Sequence, residues 1–318
     1  MSLAFVFPGQ GSQTIGMGRD LADAFPVARQ TFQEIDEALS QHLSRLMFQG
    51  EPDELNLTEN TQPALMAVSL AVVRVLEDMG KKPLPHIASC VAGHSLGEYS
   101  ALAAIGAFNV VDTARLLKLR GRAMQEAVPL GGGAMAALLG AITIDVAAEI
   151  AAEAEAAPDG SREVCEAAND NAPGQVVISG HKDAVDRAIK IAAGRGFKSI
   201  TLKVSAPFHC RLMQPAADAM AEALGKATIA PLALPVIANV TAAPVTTPAE
   251  VRRLLIEQVT GRVRWRESVL TMKASGVDRM VELGAGKALA GMIKRIDSEI
   301  SISSVGTPTD IETLLSSL

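Results

Sequence analysis

Gly93-His94-Ser95-Leu96-Gly97 lies between an apolar run at residues 87–92 and a helix-like run at residues 96–108. A Gly-x-Ser-x-Gly pentapeptide at a strand-to-helix turn is typical of a nucleophile elbow, which presents the serine hydroxyl to solvent. The two glycines lack the Cβ atoms that would collide in so sharp a bend, and they let the serine hold a strained backbone. We predict that Ser95 is a covalent nucleophile. The alternative is an ordinary glycine-rich turn.

Short apolar strand candidates alternate with helical patterns on both sides of this pentapeptide. Residues 3–7 predict a strand, residues 21–46 predict helices, and residues 64–79 predict a further helix. After residue 205 come a proline-rich extended segment, a helix at 249–260, another helix, a strand at 280–283 and a terminal helical portion. This alternation predicts an α/β fold in which helices cover a parallel sheet.

Residues 134–204 follow a different order, which indicates an inserted unit. Its predicted strands and helices are, in chain order, 135–140, 144–156, 163–168, 175–179, 182–193 and 198–204. Strand, helix, strand, strand, helix, strand is the βαββαβ order of a ferredoxin-like subdomain. Pro129 with the glycines after it, and Ser205-Ala206-Pro207, are the predicted hinges. We therefore predict a large catalytic domain of residues 1–128 and 205–318, and an inserted subdomain of residues 129–204.

Composition restricts the class of protein. A chain of 318 residues with 48% hydrophobic content is long enough to bury a sizeable core. A net charge of -6 argues against nucleic-acid binding, which needs a basic surface. Two long uncharged stretches, 127–144 and 227–249, contain prolines or glycines that prevent a membrane-spanning helix.

Cysteine usage and the N-terminal residues bear on the cellular compartment. Cys90, Cys165 and Cys210 are few and have no CxxC spacing, so we expect reduced thiols rather than disulfides or a zinc site. The first residues lack the basic region of a signal peptide. We therefore expect a cytoplasmic protein without a metal.

Five histidines are candidates for the base that a serine nucleophile needs. Three of them lie in segments expected at the surface: His42, His86 and His181. His94 is adjacent to Ser95, but neighbouring residues in a tight turn project in different directions, so we predict that His94 lines the site. His209 lies in a loop at the predicted junction of the two domains, where clefts form. We predict that His209 is the general base. The alternative is a structural loop histidine.

A serine that cleaves an ester or a thioester also needs hydrogen-bond donors for the oxyanion. The N–H of Leu96, at the start of the predicted helix, is one such donor. The turn Pro8-Gly9-Gln10-Gly11-Ser12-Gln13 follows the first strand, and its N–H groups are candidates for the second. A phosphate-binding loop is the alternative for this turn, although its glycine spacing matches neither G-x-G-x-x-G nor G-x-x-x-x-G-K.

The helix predicted at 112–126 carries one arginine on its apolar side. At 100° per residue, Arg120 lies opposite Arg115, Lys118 and Arg122, which share the solvent face. Its neighbours are apolar: Leu116, Leu117, Ala123 and Met124. Because an unpaired buried guanidinium is very costly, Arg120 needs an anion. That anion is either an internal carboxylate, with Glu98 as the candidate, or the carboxylate of a substrate held by two hydrogen bonds.

Six stretches, in order and spread over nearly the whole chain, resemble one known family. They are FPGQGSQ (7–13), GHSLGEYSAL (93–102), LRGRAMQEAV (119–128), NAPGQVVISG (171–180), SAPFHC (205–210) and VELGAGKAL (281–289). The chain resembles the malonyl-CoA:acyl carrier protein transacylases of bacterial type II fatty-acid synthesis. This resemblance implies an α/β-hydrolase-like large domain with a ferredoxin-like insertion.

The resemblance also implies residue roles. Ser95 would carry the malonyl group as an ester, and His209 would act as base and then as acid. Arg120 would bind the malonyl carboxylate, while the backbone N–H groups of Leu96 and Gln10 would form the oxyanion hole.

Further roles follow from the same resemblance. The backbone carbonyl of Gln258 would orient the histidine, in place of a third acidic residue. Leu96 and Phe208 match the malonyl-selective pattern rather than the methylmalonyl-selective one. Ala285 departs from the proline that the family usually has there, which leaves the catalytic assignment unchanged.

The leading hypothesis is ping-pong transfer of a malonyl group from malonyl-CoA to the phosphopantetheine thiol of acyl carrier protein, without a cofactor. A serine thioesterase or hydrolase is the alternative, but it gives no reason for Arg120. A non-catalytic carrier-binding module is a third hypothesis. Because acyl carrier proteins are acidic, we expect Arg122, Lys203 and the basic group at 262–266 to dock the carrier. We expect the protein to be a monomer.

Overall fold

The computed structural model describes residues 2–318 and consists of ten strands and fourteen α-helices within that range. The strands are β1 (Ser2–Phe7), β2 (Cys90–Gly93), β3 (Gly133–Leu139), β4 (Cys165–Ala172), β5 (Gln175–His181), β6 (Lys198–Thr201), β7 (Val236–Ile237), β8 (Pro244–Val245), β9 (Val277–Leu283) and β10 (Ser301–Val305). The helices of the first half are α1 (Arg19–Ala24), α2 (Pro26–Leu39), α3 (Leu43–Gln49), α4 (Pro52–Leu55), α5 (Thr58–Gly80), α6 (Gly97–Ala104) and α7 (Val110–Glu126). Those that follow are α8 (Ile144–Ala154), α9 (Lys182–Gly194), α10 (Gln214–Lys226), α11 (Pro248–Thr260), α12 (Trp265–Ala274), α13 (Ala288–Ile296) and α14 (Pro308–Leu315).

The larger sheet has six strands in the order β10-β9-β1-β2-β7-β8, all parallel to their neighbours except β8. Successive side chains of a strand point to opposite faces, so β1 contributes to two cores. Phe5 and Phe7 pack into the core on the side of α5, α6 and α7, whereas Ala4 and Val6 pack into the core that includes residues of α12 and α13. The predicted α/β class with a helix-covered parallel sheet is confirmed.

The smaller sheet contains β3 to β6 in the order β4-β5-β3-β6, with every neighbouring pair antiparallel. Together with α8 and α9 these strands form a βαββαβ unit whose core includes residues of both helices. This order is the ferredoxin-like arrangement that the sequence predicted. All six elements lie within residues 129–204, the range predicted for the inserted subdomain.

The smaller sheet is joined by backbone hydrogen bonds to the segment between α11 and α12. The N–H of Asp170 in β4 donates to the carbonyl of Val263 at 2.9 Å, and the N–H of Val263 donates to the carbonyl of Ala168 at 2.9 Å. Because Val263 lies between α11 and α12, β4 is attached directly to the segment that follows α11. This attachment holds one edge of the smaller sheet against the large domain.

Two elements differ from the sequence prediction. The segment between the hinge at 205–207 and the helix at 249–260 is predicted to be extended, yet α10 lies within it and buries Ala216, Met220 and Leu224 at a spacing of four residues. The predicted terminal helical portion contains β10, whose alternating burial reflects its position at the sheet edge beside β9. The helical spacing in α10 was a readable local signal, whereas β10 is stabilised by pairing with a strand that is distant in sequence. No helix within residues 2–318 is both long and apolar enough to cross a membrane.

Candidate active site

Ser95 lies on the turn between β2 and α6, with its backbone in the left-handed region at φ 53°. A Cβ on Gly93 would lie 1.9 Å from the carbonyl carbon of Gly97, and a Cβ on Gly97 would lie 2.2 Å from the carbonyl oxygen of Phe7. Both distances are far below van der Waals contact, so only glycine fits at either position. The strained conformation of Ser95 is therefore enforced by close backbone packing.

Asn239, two residues after the end of β7, holds this turn through its side chain. Its Oδ1 accepts the backbone N–H of Ser95 at 2.7 Å, and its Nδ2 donates to the carbonyl of Gly93 at 2.7 Å. The side chain is fully buried. One carboxamide thus bridges both sides of the elbow and fixes the backbone from which the hydroxyl projects.

His209 meets the hydroxyl of Ser95, with its Nε2 2.8 Å from Oγ. Its Nδ1 is 2.9 Å from the carbonyl oxygen of Gln258 and 3.2 Å from that of Gly261. Carbonyl oxygens only accept hydrogen bonds, so Nδ1 carries the proton and Nε2 is left as the acceptor for Ser95. His209 also has a left-handed backbone, at φ 58°.

The electrostatic surroundings keep His209 neutral. The residue is only 4% exposed, and burial, assisted by the charge of Arg120, lowers its pKa to about 3. The carbonyls of Gln258 and Gly261 oppose this shift, because they favour the protonated ring. At neutral pH the imidazole is therefore in the form that can take a proton.

Arg120, on α7, is 1% exposed and its guanidinium is held by neutral oxygens. Nη1 donates to Oε1 of Gln62 at 2.8 Å, while Nη2 donates to Oε1 of Gln258 at 2.8 Å and to Oγ of Ser95 at 3.1 Å. Glu98, the candidate internal partner, instead accepts hydrogen bonds from the backbone of Asn239 and the side chain of Gln258. A buried positive charge thus lies beside the hydroxyl without a carboxylate bound to it.

Four further predicted residues line the cleft beside Ser95: Gln10, His94, Leu96 and Phe208. Within residues 2–318, neither the backbone N–H of Gln10 nor that of Leu96 donates to a protein acceptor. Both lie at the carboxyl ends of neighbouring parallel strands, Gln10 after β1 and Leu96 after β2. The cleft therefore contains a serine–histidine pair, a buried cation and two backbone donors, which are groups suited to acyl transfer from a carboxylated substrate.

The chain matches the acyl transferase domain family over residues 4–303. It is 45% identical over 307 residues to the malonyl CoA-acyl carrier protein transacylase of Escherichia coli strain K12, with 96% of each chain covered. It is 42% identical over 317 residues to the protein of the same name from Bacillus subtilis strain 168, with 99% of this chain and 97% of that relative covered. This chain belongs to the malonyl CoA-acyl carrier protein transacylase family.

Solved structures of the transacylase family superpose on the whole chain. An acyl-carrier-protein-S-malonyltransferase from Bartonella henselae has a TM-score of 0.95 and 49% identity, covering 100% of this chain and 99% of that one. A malonyl-transacylase solved in complex with its type II PKS acyl-carrier protein has a TM-score of 0.94 and 40% identity, covering 100% of both chains. The resemblance predicted from six sequence stretches is therefore confirmed.

His94 lies on the side of the cleft where the smaller sheet forms the wall. Its Nε2 is 2.8 Å from Oδ1 of Asn171 at the end of β4, and its ring centroid is 5.7 Å from that of Trp265. Burial lowers the pKa of His94. His94 is therefore neutral and hydrogen-bonded to Asn171 of the smaller sheet. His209, in contrast, is the histidine that is hydrogen-bonded to Ser95.

Several site residues of this family member were missed by the sequence analysis: Gln62, Asn171 and Asn239. Asn239 follows a strand of only two residues in a segment predicted as extended, so no strand pattern pointed to it. Gln62 lies in the part of α5 that precedes the predicted helix start and contains Pro63. The signal that could have identified Gln62 is a polar residue buried within an apolar helix. Because the predicted helix began after Gln62, this signal was not visible in the sequence.

The basic residues considered for carrier docking fall into two groups. Arg264 pairs with Glu267, Arg266 pairs with the buried Asp170 at 2.8 Å, and Nε of Arg262 donates to the carbonyl of Ala167 at 2.9 Å, so all three arginines of the 262–266 group have partners within the chain. Arg122 and Lys203 are exposed. Lys203 also lines the cleft, which leaves it as the better placed candidate. Among residues 2–318 there is no cluster of three or more His, Cys, Asp or Glu side chains that could hold a metal.

Proposed function

We propose that this chain transfers a malonyl group from malonyl-CoA to the phosphopantetheine thiol of acyl carrier protein, as a step of fatty-acid synthesis. The observation that carries the proposal is the position of Arg120, whose Nη2 is 3.1 Å from Oγ of Ser95. A nucleophile beside a buried cation suits an acyl group that ends in a carboxylate. The ion pair between the guanidinium and that carboxylate forms where water cannot compete for either charge.

In the first half-reaction, Oγ of Ser95 attacks the thioester carbonyl of malonyl-CoA while Nε2 of His209 accepts the hydroxyl proton. The oxyanion that forms is stabilised by the backbone N–H groups of Leu96 and Gln10. As the intermediate collapses, the carbon–sulfur bond breaks and His209 returns the proton to the leaving thiolate. The products are coenzyme A and a malonyl ester of Ser95.

In the second half-reaction, the thiol of the carrier's phosphopantetheine arm gives its proton to His209 and attacks the ester. Collapse of the second intermediate releases Ser95 as the alkoxide, which regains the proton from His209. Arg120 binds the malonyl carboxylate throughout, and Leu96 and Phe208 restrict the space around the acyl group. The backbone carbonyl of Gln258 keeps the histidine in the tautomer that both steps need.

Each step is a proton transfer or an acyl transfer between groups of the chain and its substrates, so we propose that no cofactor is involved beyond coenzyme A as the carrier of the acyl group. The free, buried thiols of Cys90, Cys165 and Cys210 support a reducing, cytoplasmic compartment. The monomeric state stays a prediction.

The test is incubation with malonyl-CoA followed by intact mass measurement. A malonyl adduct is expected for the wild type and none for Ser95→Ala. Absence of the adduct in the wild type would refute the proposal. The alternative hydrolase would release free malonate instead of loading the carrier, so product analysis in the presence of acyl carrier protein separates the two activities.

A further inference from the structure

Glu98 is a buried carboxyl group that the proposed reaction does not use. It follows Gly97 in the first turn of α6 and is 3% exposed. Its Oε2 accepts the backbone N–H of Asn239 at 3.0 Å and Nε2 of Gln258 at 2.9 Å. Burial of a carboxyl group is costly, and hydrogen bonds only offset that cost. A buried glutamate beside the site is therefore expected to have a role there.

Gln258 is the junction through which Glu98 reaches the site. The Oε1 of Gln258 accepts from Nη2 of Arg120 at 2.8 Å, while its Nε2 donates to Glu98 and to the carbonyl of Ser95 at 3.0 Å. A carboxamide has one accepting end and one donating end. If the amide were reversed, Nε2 would face the guanidinium, donor against donor, and Arg120 would lose one of its two amide anchors.

We propose that Glu98 is a positioning residue for the substrate carboxylate: its Oε2 locks the amide of Gln258 with the carbonyl end towards Arg120. The guanidinium is then oriented by two amide oxygens, on Gln62 and Gln258, and by Ser95 Oγ. A carboxylate bound directly to Arg120 would occupy the N–H groups that the malonyl carboxylate needs. Glu98 avoids this competition, because one side-chain amide separates it from the cation.

This role depends on an accepting oxygen rather than on a full negative charge. Burial raises the pKa of Glu98 to about 7, against the hydrogen bonds from Asn239 and Gln258 and the charge of Arg120. Near neutral pH a share of the molecules therefore carries a protonated carboxyl group. Both hydrogen bonds use Oε2, so a proton on Oε1 leaves them intact.

The inference rests on the proposed malonyl transfer, and a pair of variants tests it separately. Glu98→Gln keeps an oxygen that can accept both hydrogen bonds, whereas Glu98→Leu removes the acceptor. Two rates are measured: single-turnover formation of the malonyl ester from malonyl-CoA, and labelling of Ser95 by a neutral fluorophosphonate probe. The probe reports the reactivity of the serine without the need for carboxylate binding.

For Glu98→Leu we expect malonyl ester formation to slow by about 10- to 100-fold, the range for a lost hydrogen bond that serves a charged group. Probe labelling should stay within about threefold of the wild type, because the neutral probe has no carboxylate for Arg120 to bind. A threefold change in rate corresponds to well under 1 kcal/mol. Glu98→Gln should retain both rates within the same margin. If Glu98→Leu fails to fold, Glu98→Met, which keeps the length of the side chain without a carboxyl oxygen, should show the same selective loss.

Glu282 provides a matched control. It is fully buried and accepts hydrogen bonds from the backbone of Leu289, the backbone of Ala290 and the hydroxyl of Ser304. Glu282→Leu should lower the melting temperature without changing the ratio of the two rates.

Three outcomes would overturn the inference while leaving the proposed function in place. Malonyl ester formation could be unchanged in Glu98→Leu, both rates could fall equally, or Glu98→Gln could be as impaired as Glu98→Leu. A wild type that forms no malonyl ester would instead refute the proposed function itself.

Discussion

Replacement of Arg120 by methionine tests the origin of selectivity for a carboxylated acyl group. Methionine keeps an unbranched apolar side chain but removes the charge and the N–H groups. Because Arg120 is 1% exposed, its pairing with a substrate carboxylate takes place out of water. Removing one partner of such a desolvated pair costs about 2–5 kcal/mol, which is about 30-fold to several thousand-fold in rate.

The assay is single-turnover acylation of Ser95 by malonyl-CoA and by acetyl-CoA, followed by intact mass measurement. Arg120→Met should reduce kcat/KM for malonyl-CoA by the factor above and change that for acetyl-CoA far less, since acetyl has no carboxylate. The variant also leaves Oε1 of Gln62 and of Gln258 without their shared donor, at about 1–3 kcal/mol of stability each, so its melting temperature is measured alongside.

Arg115, an exposed arginine on the same helix, provides the control. Arg115→Met should leave both acylation rates unchanged. The reasoning fails if Arg120→Met slows malonyl and acetyl transfer by the same factor, because the guanidinium would then act on the serine rather than on the carboxylate.

Two further predictions concern stability. His209 has a pKa of about 3 in the native state against an ordinary value of 6.5, so only the unfolded chain gains its proton as the pH falls below 6.5. Between pH 6.5 and about pH 3, urea unfolding should therefore show the wild type losing up to about 1.4 kcal/mol per pH unit relative to His209→Gln, with no change in their difference above pH 6.5. Parallel curves within that range would contradict this. Gly97→Ala should destabilise the fold by about 3 kcal/mol or more, because the new methyl group meets the backbone of Phe7. Gly291→Ala, which meets nothing within 4 Å on the exposed side of α13, should be neutral or slightly stabilising; equal melting temperatures for the two variants would show that the elbow can relax.

The fold was predictable to the extent that its elements carry local patterns. The βαββαβ order of residues 133–201 was readable because each element has its own periodicity and turn residues. The helix α10 carried a usable spacing that the prolines and alanines around it obscured. The edge strand β10 carried no such local pattern, since three of its five residues are serine and its conformation depends on pairing with β9.

The site was predictable where one residue type had few candidates. His209 emerged from a choice among five histidines, and the structure places its Nε2 2.8 Å from Ser95. Asn239 could not be predicted in this way, because an asparagine in an irregular segment resembles any other polar loop residue. Its contacts with the elbow lie 144 and 146 residues away in the chain, a separation that leaves no trace in the local sequence.

Local sequence was enough to predict the elbow and the side of α7 on which Arg120 lies. Both depend on local geometry: five residues must make a bend that only glycine permits, and 100° per residue turns Arg120 towards the apolar face. The oxygens that surround the guanidinium, in contrast, are known only from the folded chain. Gln62 and Gln258 are 58 and 138 residues from Arg120, and Glu98, which sets the amide of Gln258, is 160 residues from it. Whether Arg120 forms an internal ion pair or stays available to a substrate therefore depends on packing between distant segments. No local sequence pattern predicts that packing.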